Sequence, residues 1–450
     1  MSDLNKLNKV CQENKVSGDI EFIKTIPSEW NTLKAKYIFR HIVNYSSSGT
    51  EDLLSVSEYY GVAPKADVLH DSDFLSRAES LEGYKKNEKY DLIINIMLAW
   101  KKALGVAPID GIVSPAYAVF RLINLSKNVP QYYHYLLRTD LFATIFKKHS
   151  TGIIDSRLRL YPEAFGNIKL LVPPYNDQLA ISRFLDQKTK KIDDIIVLKK
   201  KYLKLLREKR QAIIDEVVTK GLDPNVPMKY SGIGWLGNVP AHWVLQKMKY
   251  VASKIIDAEH KTAPTFDEGK YYVVRTSNVK KGKLVSVDLK TTTFDVFKKW
   301  TMRGLPEVGD LMLTREAPAG EACLVPDVDN ICLGQRMVLI KLKKQVISPQ
   351  FCLYSIYGGL AATYISLLSQ GSTVSHFNMS DIYNIPIFLP PYDEQIEINN
   401  YLEIKLYQID KLIDKIIHHT EKLQEYRQAL ISEAVTGRID VREYGRGSIE

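Results

Sequence analysis

Two stretches of the 450-residue chain have the look of a catalytic loop, Val172-Pro173-Pro174-Tyr175 and Leu389-Pro390-Pro391-Tyr392. Such a loop serves amino-group methylation when Asp, Asn or Ser precedes the prolines, because that side chain accepts a hydrogen bond from the target amine. Val172 and Leu389 accept nothing, and no glycine-rich cofactor loop follows a strand upstream. No G-x-x-x-x-G-K-[ST] segment exists to cradle a nucleotide phosphate. Asp267, Glu268 and Lys270 make a fragment of a nuclease centre without a suitably spaced upstream acid. The nine histidines show no metal spacing, and His418 and His419 are helix neighbours that do not share a face. Cys11, Cys323, Cys332 and Cys352 form no C-x-x-C pair and read as idle thiols. Gly-x-Ser-x-Gly is absent. The expectation is a chain with no catalytic and no metal site.

What remains is polar, basic and aromatic. In the second half, Arg275, Ser277, Asn278 and Lys280 follow a strand, Arg315 follows another, Gln335 and Arg336 precede a third, and Ser375 and His376 lie in a loop. In the first half the counterparts are Lys101 beside Trp100, Ser114, Tyr117, Arg121, Arg157 and Arg159. Arg, Asn and Gln read base edges, while Ser and Lys suit phosphates. Singly, each is more often a solvated surface group; their recurrence at comparable places in both halves makes the set a candidate DNA-binding surface.

The frame that would position them is written twice. Residues 173–223 align with 390–440 at an offset of 217 without a gap, with about 20 of 51 positions identical. Ile26-Pro27-Ser28-Glu29-Trp30 echoes Val239-Pro240-Ala241-His242-Trp243, Asp91-Leu92 echoes Asp310-Leu311, and Pro130-Gln131-Tyr132 echoes Pro349-Gln350-Phe351. The expected organisation is an N-terminal arm (1–25), a variable block (26–172), a preserved helix (173–222), a linker (223–239), a second variable block (240–389), a second preserved helix (390–437) and a tail (438–450).

The preserved blocks read as long helices free of Gly and Pro from Gln178 to Lys220 and from Gln395 to Thr436. A seam of period 3.5 runs through Ile181, Leu185, Lys188, Ile192, Ile195, Lys199, Tyr202, Leu206, Lys209 and Ile213, and through Ile398, Leu402, Lys405, Ile409, Leu412, Ile416, His419, Leu423, Tyr426 and Leu430. Each run of ~42 residues extends ~63 Å. Pairing of the two helices, antiparallel in a duplicated chain, is the expectation; two separate amphipathic helices on two cores is the alternative. The variable blocks show short strands such as 92–96, 118–120, 271–274, 311–314 and 337–340, with helices over Pro130–Phe146 and Pro349–Leu368. The expected class is α+β: two globular mixed α/β domains separated by two long antiparallel coiled-coil helices, with a pseudo-twofold internal repeat.

Charge agrees with this division. The net charge is +9; the variable blocks hold 18 basic against 15 acidic residues and 18 against 13, the first helix 12 against 7 and the second 5 against 9. A mild basic excess permits a nucleic-acid partner without requiring one. No apolar run approaches the ~18 residues of a membrane span, and Met1–Val16 is too polar for a signal peptide. The expected location is the cytoplasm.

The layout resembles the DNA-specificity subunit of type I restriction–modification systems. The resemblance rests on two divergent blocks, each followed by a helix that begins Pro-Pro-x-x-(Asp/Glu)-Gln and ends Arg-Gln-Ala-(Ile/Leu)-Ile-x-Glu-x-Val-Thr. Residues Tyr90–Asn95 through Gly111–Tyr117, and Gly309–Pro318 through Gly334–Met337, are similar to recurrent forms of its target-recognition domain. One departure is Ile96, near which the resemblance leads one to expect a lysine. The resemblance implies a non-catalytic subunit in phage defence whose two domains each read half of an asymmetric, split site in double-stranded DNA. It implies partners: two methyltransferase subunits docked by the helices, and restriction (translocase–nuclease) subunits. It places S-adenosylmethionine, ATP and Mg only in those partners. The competing readings are a non-catalytic repeat scaffold for partner helices and a diverged methyltransferase or nuclease.

Overall fold

The computed structural model describes residues 15–20, 23–68, 80–316, 318–328, 330–369 and 377–445. The chain divides into two compact units, Met1–Lys199 with His418–Glu450, and Lys200–Ile417.

In the first unit a four-stranded antiparallel sheet contains β1 (Phe39–Ile42), β2 (Leu92–Asn95), β3 (Leu104–Val106) and β4 (Tyr117–Leu122), in the order β1-β4-β2-β3. Alternation along the strands serves two faces. Leu92, Ile94, Ala118 and Phe120 enter the main core, while Ile93 and Val119 meet Leu54, Val56 and Val62 on the other side. This explains why Leu92-Ile93-Ile94 is continuously apolar. The expected helix over Pro130–Phe146 is two helices, α1 (Pro130–Leu137) and α2 (Asp140–His149). It breaks because the Arg138 guanidinium donates to the carbonyls of Ser57, Glu58, Tyr59, Lys102 and Leu104, and Thr139 caps α2 by accepting from the Phe142 N–H. The first long helix, α3 (Tyr175–Lys220), begins in this unit.

The second unit repeats the sheet with β5 (Ala252–Asp257), β6 (Leu311–Thr314), β7 (Ala322–Leu324) and β8 (Met337–Leu342), in the equivalent order β5-β8-β6-β7. Leu311, Leu313, Val338 and Ile340 face one core, and Met312, Met337 and Leu339 face another. The expected helix over Pro349–Leu368 is likewise two, α4 (Pro349–Tyr357) and α5 (Gly359–Ser369). The break at Gly358–Gly359 lets backbone close on α3: a Cβ on Gly358 would meet Ile214 at 2.7 Å, and the Gly359 N–H donates to Asp215 at 2.8 Å. The second long helix is α6 (Tyr392–Val435).

The preserved Pro-Pro-Tyr-x-x-Gln motif is a structural latch at the start of each long helix. Gln178 is fully buried; its carbonyl accepts from the Val129 N–H at 2.8 Å and its amide donates to the Lys127 and Pro173 carbonyls. Gln395, 217 positions on, does the same to Ser348 N–H, Val346 and Pro390. One residue earlier, Asp177 and Glu394 each accept from a buried indole N–H, of Trp30 and Trp243 respectively, at 3.1 Å. Gln and the preceding acid are therefore preserved because each ties a helix to its own block.

In the first unit the early part of α3 and the late part of α6 pack through Ile192, Ile196, Leu430 and Ile431, flanked by Arg427 on Asp193 at 2.9 Å. In the second unit Leu206, Ile409 and Ile416 pack together, flanked by Arg210 on Asp410 at 2.8 Å. The two ion pairs are one pair under the 217 offset, Asp193 matching Asp410 and Arg210 matching Arg427. Positions on α3 rise as those on α6 fall, so the helices pair antiparallel.

The seam itself differs from expectation at seven positions. Ile196, Leu203 and Arg210 replace Ile195, Tyr202 and Lys209, and Leu406, Ile413, Thr420 and Arg427 replace Lys405, Leu412, His419 and Tyr426, which are exposed. Both 195 and 196 are isoleucine, so composition alone leaves the choice open. The ion pairs settle it by placing Arg210 and Arg427 at the seam.

Candidate nucleic-acid interface

In each unit the C-terminal ends of the first two sheet strands lie beside the N-terminal start of the last. In the first unit this end carries Ile96, Ser114 and Tyr117. A turn closed by the Tyr117 N–H on the Ser114 carbonyl, 3.0 Å, presents both side chains. The Lys85 ammonium donates to the Tyr117 carbonyl at 2.6 Å. Burial pushes the Lys85 amine down and the Tyr117 phenol up, the latter helped by Tyr60 and Tyr84 close by. Trp100 anchors its indole N–H on the Met97 carbonyl, and the ammonium groups of Lys101 and Lys147 lie 5.2 and 5.0 Å from its ring.

A loop of 151–159 joins this end. The Leu160 N–H donates to the Ile96 carbonyl at 2.8 Å, and Thr151 and Arg159 exchange backbone hydrogen bonds at 3.0 and 2.9 Å. Arg157 is exposed. The Arg159 guanidinium curls back onto the Leu158 and Ser156 carbonyls. Arg121 sits four residues along β4 from Tyr117, ~13 Å at strand rise, and is committed elsewhere. It pairs bidentately with buried Asp91, both bonds 2.9 Å, and with Glu88 at 2.7 Å. The Asp91 hydrogen bonds raise its pKa.

In the second unit the same sheet end brings together Arg315, Gln335 and Arg336. Arg315 is interior, 7% exposed; it pairs with Asp257 at 2.5 Å and donates to the Phe377 carbonyl at 2.9 Å. Asp257 also holds His260 at 3.0 Å. Gln335 donates to the His260 carbonyl and accepts from Thr262. Arg336 adopts φ +69°, a region costly for a side-chain-bearing residue, and half its side chain is exposed while it pairs with Glu316 at 2.8 Å. The Phe377 N–H donates to the Arg315 carbonyl as Leu160 does to Ile96. Ser375 and His376 fall outside the described residues.

The Arg275 to Lys280 segment forms a separate edge. Arg275 pairs with Asp288 at 2.8 Å. Asn278 is fully buried; it accepts from the Arg275 N–H and donates to the Val285 and Val287 carbonyls. Ser277 and Lys280 are exposed. Thus the structure gathers Lys101, Ser114, Tyr117, Arg157 and Arg159 at one sheet end, and Arg315, Gln335 and Arg336 at the equivalent one. Arg121, Asn278 and Arg315 are used inside the fold. Lys85, Lys147 and His260 were not singled out from sequence; the Tyr84-Lys85 neighbourhood is an aromatic–basic signal that would have found the first. Among the described residues no group of three or more His, Cys, Asp and Glu could hold a metal ion, and no single helix is long and apolar enough to cross a membrane.

Comparison with known proteins converges on one family. Residues 249–422 match the model of the type I restriction modification DNA specificity domain. The MjaVIII type I restriction enzyme specificity subunit of Methanocaldococcus jannaschii is 25% identical over 283 residues, 62% of this chain and 64% of that protein. The EcoBI specificity subunit of Escherichia coli is 29% identical over 107 residues, 24% of this chain and 22% of that protein. The chain thus matches less than two thirds of the length of either relative. A solved chain from work on complex assembly and conformational transition of the type I R-M system superposes with a TM-score of 0.68 at 16% identity, covering 92% of this chain and 99% of that one. The HsdS subunit from Thermoanaerobacter tengcongensis gives 0.50 at 17% identity, covering 92% and 98%. At such identities the structural likeness speaks for the fold.

Proposed function

We propose that the chain is a specificity subunit of the type I restriction–modification kind, and that it reads a bipartite, asymmetric site in double-stranded DNA without performing chemistry itself. The observation that carries this is the pairing of one frame with two unlike surfaces. The same sheet end, in the same strand order, presents Tyr117, Lys101 and Arg157 in one unit and Gln335 and Arg336 in the other. Residues 26–172 and 240–389 act as the two target-recognition domains, each for one half-site. Exposed Lys101, Arg157, Ser277, Lys280 and Arg336 and part-exposed Ser114, Tyr117 and Gln335, with Ser375 and His376, are the proposed DNA contacts. Arg121, Arg159, Arg275, Asn278 and Arg315 support them by holding the loops. Residues 173–222 and 390–437 space the domains and dock two methyltransferase subunits, to which restriction subunits add. S-adenosylmethionine, ATP and Mg belong to those partners, and the complex works in the cytoplasm.

The test is a domain exchange in the assembled methyltransferase. Residues 26–172 are replaced by the equivalent block of a relative, and methylated sites are mapped genome-wide. One half-site should change while the other and the gap persist. Change in both halves refutes the assignment, and a map without sequence preference refutes DNA reading altogether.

A further inference from the structure

The 151–159 loop carries an adjacent pair of isoleucines at its tip that the fold does not use. Ile153 is 98% exposed and Ile154 53%. Nothing within the first unit gains from apolar side chains there, and β-branched residues are poor choices for a tight loop. Yet the loop is firmly built. The Thr151–Arg159 backbone pair closes its base, the Arg157 N–H donates to the Ile154 carbonyl at 2.8 Å, and Asp155 pairs with Lys147 at 2.9 Å. Gly152, at φ +150°, passes so close to the Arg157 carbonyl that a Cβ would meet its oxygen at 2.6 Å. Leu158 and Leu160 are buried beneath. The tip is thus an apolar point on a rigid stem.

Its surroundings say what it meets. The stem is hydrogen-bonded to Ile96 at the end of β2, beside Ser114 and Tyr117. Exposed Arg157 and Lys101, with Lys147 near Trp100, place cations around it. A protein pocket for two isoleucines has no need of the exposed Arg157 and Lys101 cations nearby, whereas a phosphate backbone does. An aliphatic point among cations is the device by which proteins part stacked bases and kink a duplex.

We propose that Ile153, backed by Ile154, is a wedge inserted between adjacent base pairs of the half-site contacted by the first unit. This rests on the DNA-reading function proposed above and adds that this half-site is deformed as well as read. A kinked step is then preferred where stacking is weakest, so the wedge contributes sequence preference without a base-edge hydrogen bond.

The experiment uses the complex assembled with its methyltransferase subunits and duplexes carrying the mapped site, with 2-aminopurine placed at each step of that half-site in turn. Wild type should brighten one step on binding other than the methylated adenine, which the methyltransferase subunit itself flips. Ile153→Ala/Ile154→Ala should abolish that signal and weaken cognate binding on the order of tenfold, while Ile153→Leu keeps both. Melting temperature should not move in Ile153→Ala alone, since Ile153 is 98% exposed, and should fall little in the double variant. Site-specific binding by wild type with no unstacked step overturns the wedge and leaves the DNA-reading function standing; absence of site-specific binding overturns both. Loss of methyltransferase subunits from the alanine variant on size exclusion would assign the tip to a protein interface and also overturn the wedge.

Discussion

Acid should weaken the first unit through His134. This residue lies on α1 with its ring under the backbone of Gly61 and Gly105, 3.1 and 3.2 Å from where their Cβ atoms would stand. Its Nδ1 accepts from the Val106 N–H at 3.3 Å, an acceptor role open only to neutral imidazole. Burial, with the charges of Arg138 and Arg427, lowers its pKa from 6.5 to about 3. Below pH 6.5 the unfolded chain takes up a proton that the native ring refuses, so stability falls as pH drops and is unaffected above. Between pH 7 and pH 5 the loss is ~2 kcal/mol, and any native value below about 4 gives the same figure. His134→Gln removes the titration. Its stability deficit against wild type should shrink by ~2 kcal/mol between pH 7 and pH 5, read from amide exchange in peptides spanning 92–146. An equal deficit at both pH values would refute a neutral, acceptor His134.

The seam register separates neighbouring isoleucines: Ile196→Ala should cost ~2–4 kcal/mol and Ile195→Ala within about 0.5, measured by denaturant unfolding. Asp410→Arg should destabilise and the exchange Arg210→Asp/Asp410→Arg should recover part of the loss, with a coupling of ~0.5–1.5 kcal/mol in a double-mutant cycle. Arg315→Ala removes the guanidinium partner of half-buried Asp257 and should lower the melting temperature, at ~1–3 kcal/mol. Gln335→Ala should leave melting alone and alter affinity or specificity for DNA.

The parts of the fold that repeat were legible because a repeat is its own control. Gln178 with Gln395 and Arg210 with Arg427 stand out at one offset in the sequence itself. The parts that were not legible are those where a tertiary partner overrides a local pattern. Nothing local in Arg138-Thr139 announces that a guanidinium leaves the helix to collect five carbonyls. Heptad spacing allows Ile195 as readily as Ile196, and the Asp193–Arg427 and Arg210–Asp410 pairs choose between them. For the site, residue type was a weaker guide than position. Arg121, Arg315 and Asn278 have the side chains that read bases, but Asp91, Asp257 and the Val285 and Val287 carbonyls claim them. Ile153 has no such side chain, so residue type alone does not mark it.

The division of the chain into units has a consequence for synthesis. The second unit, Lys200–Ile417, is one uninterrupted segment. The first is not: its core includes Leu430, Ile431, Ala434, Val435, Ile439 and Val441. On the ribosome the N-terminal block is made first yet finished last. The faces of Tyr132, Ile181 and Leu185 wait for a strip of chain that arrives after the whole of the second unit. A stop codon at residue 418 would therefore cripple the half of the protein farthest from it in sequence, and leave the nearer half whole.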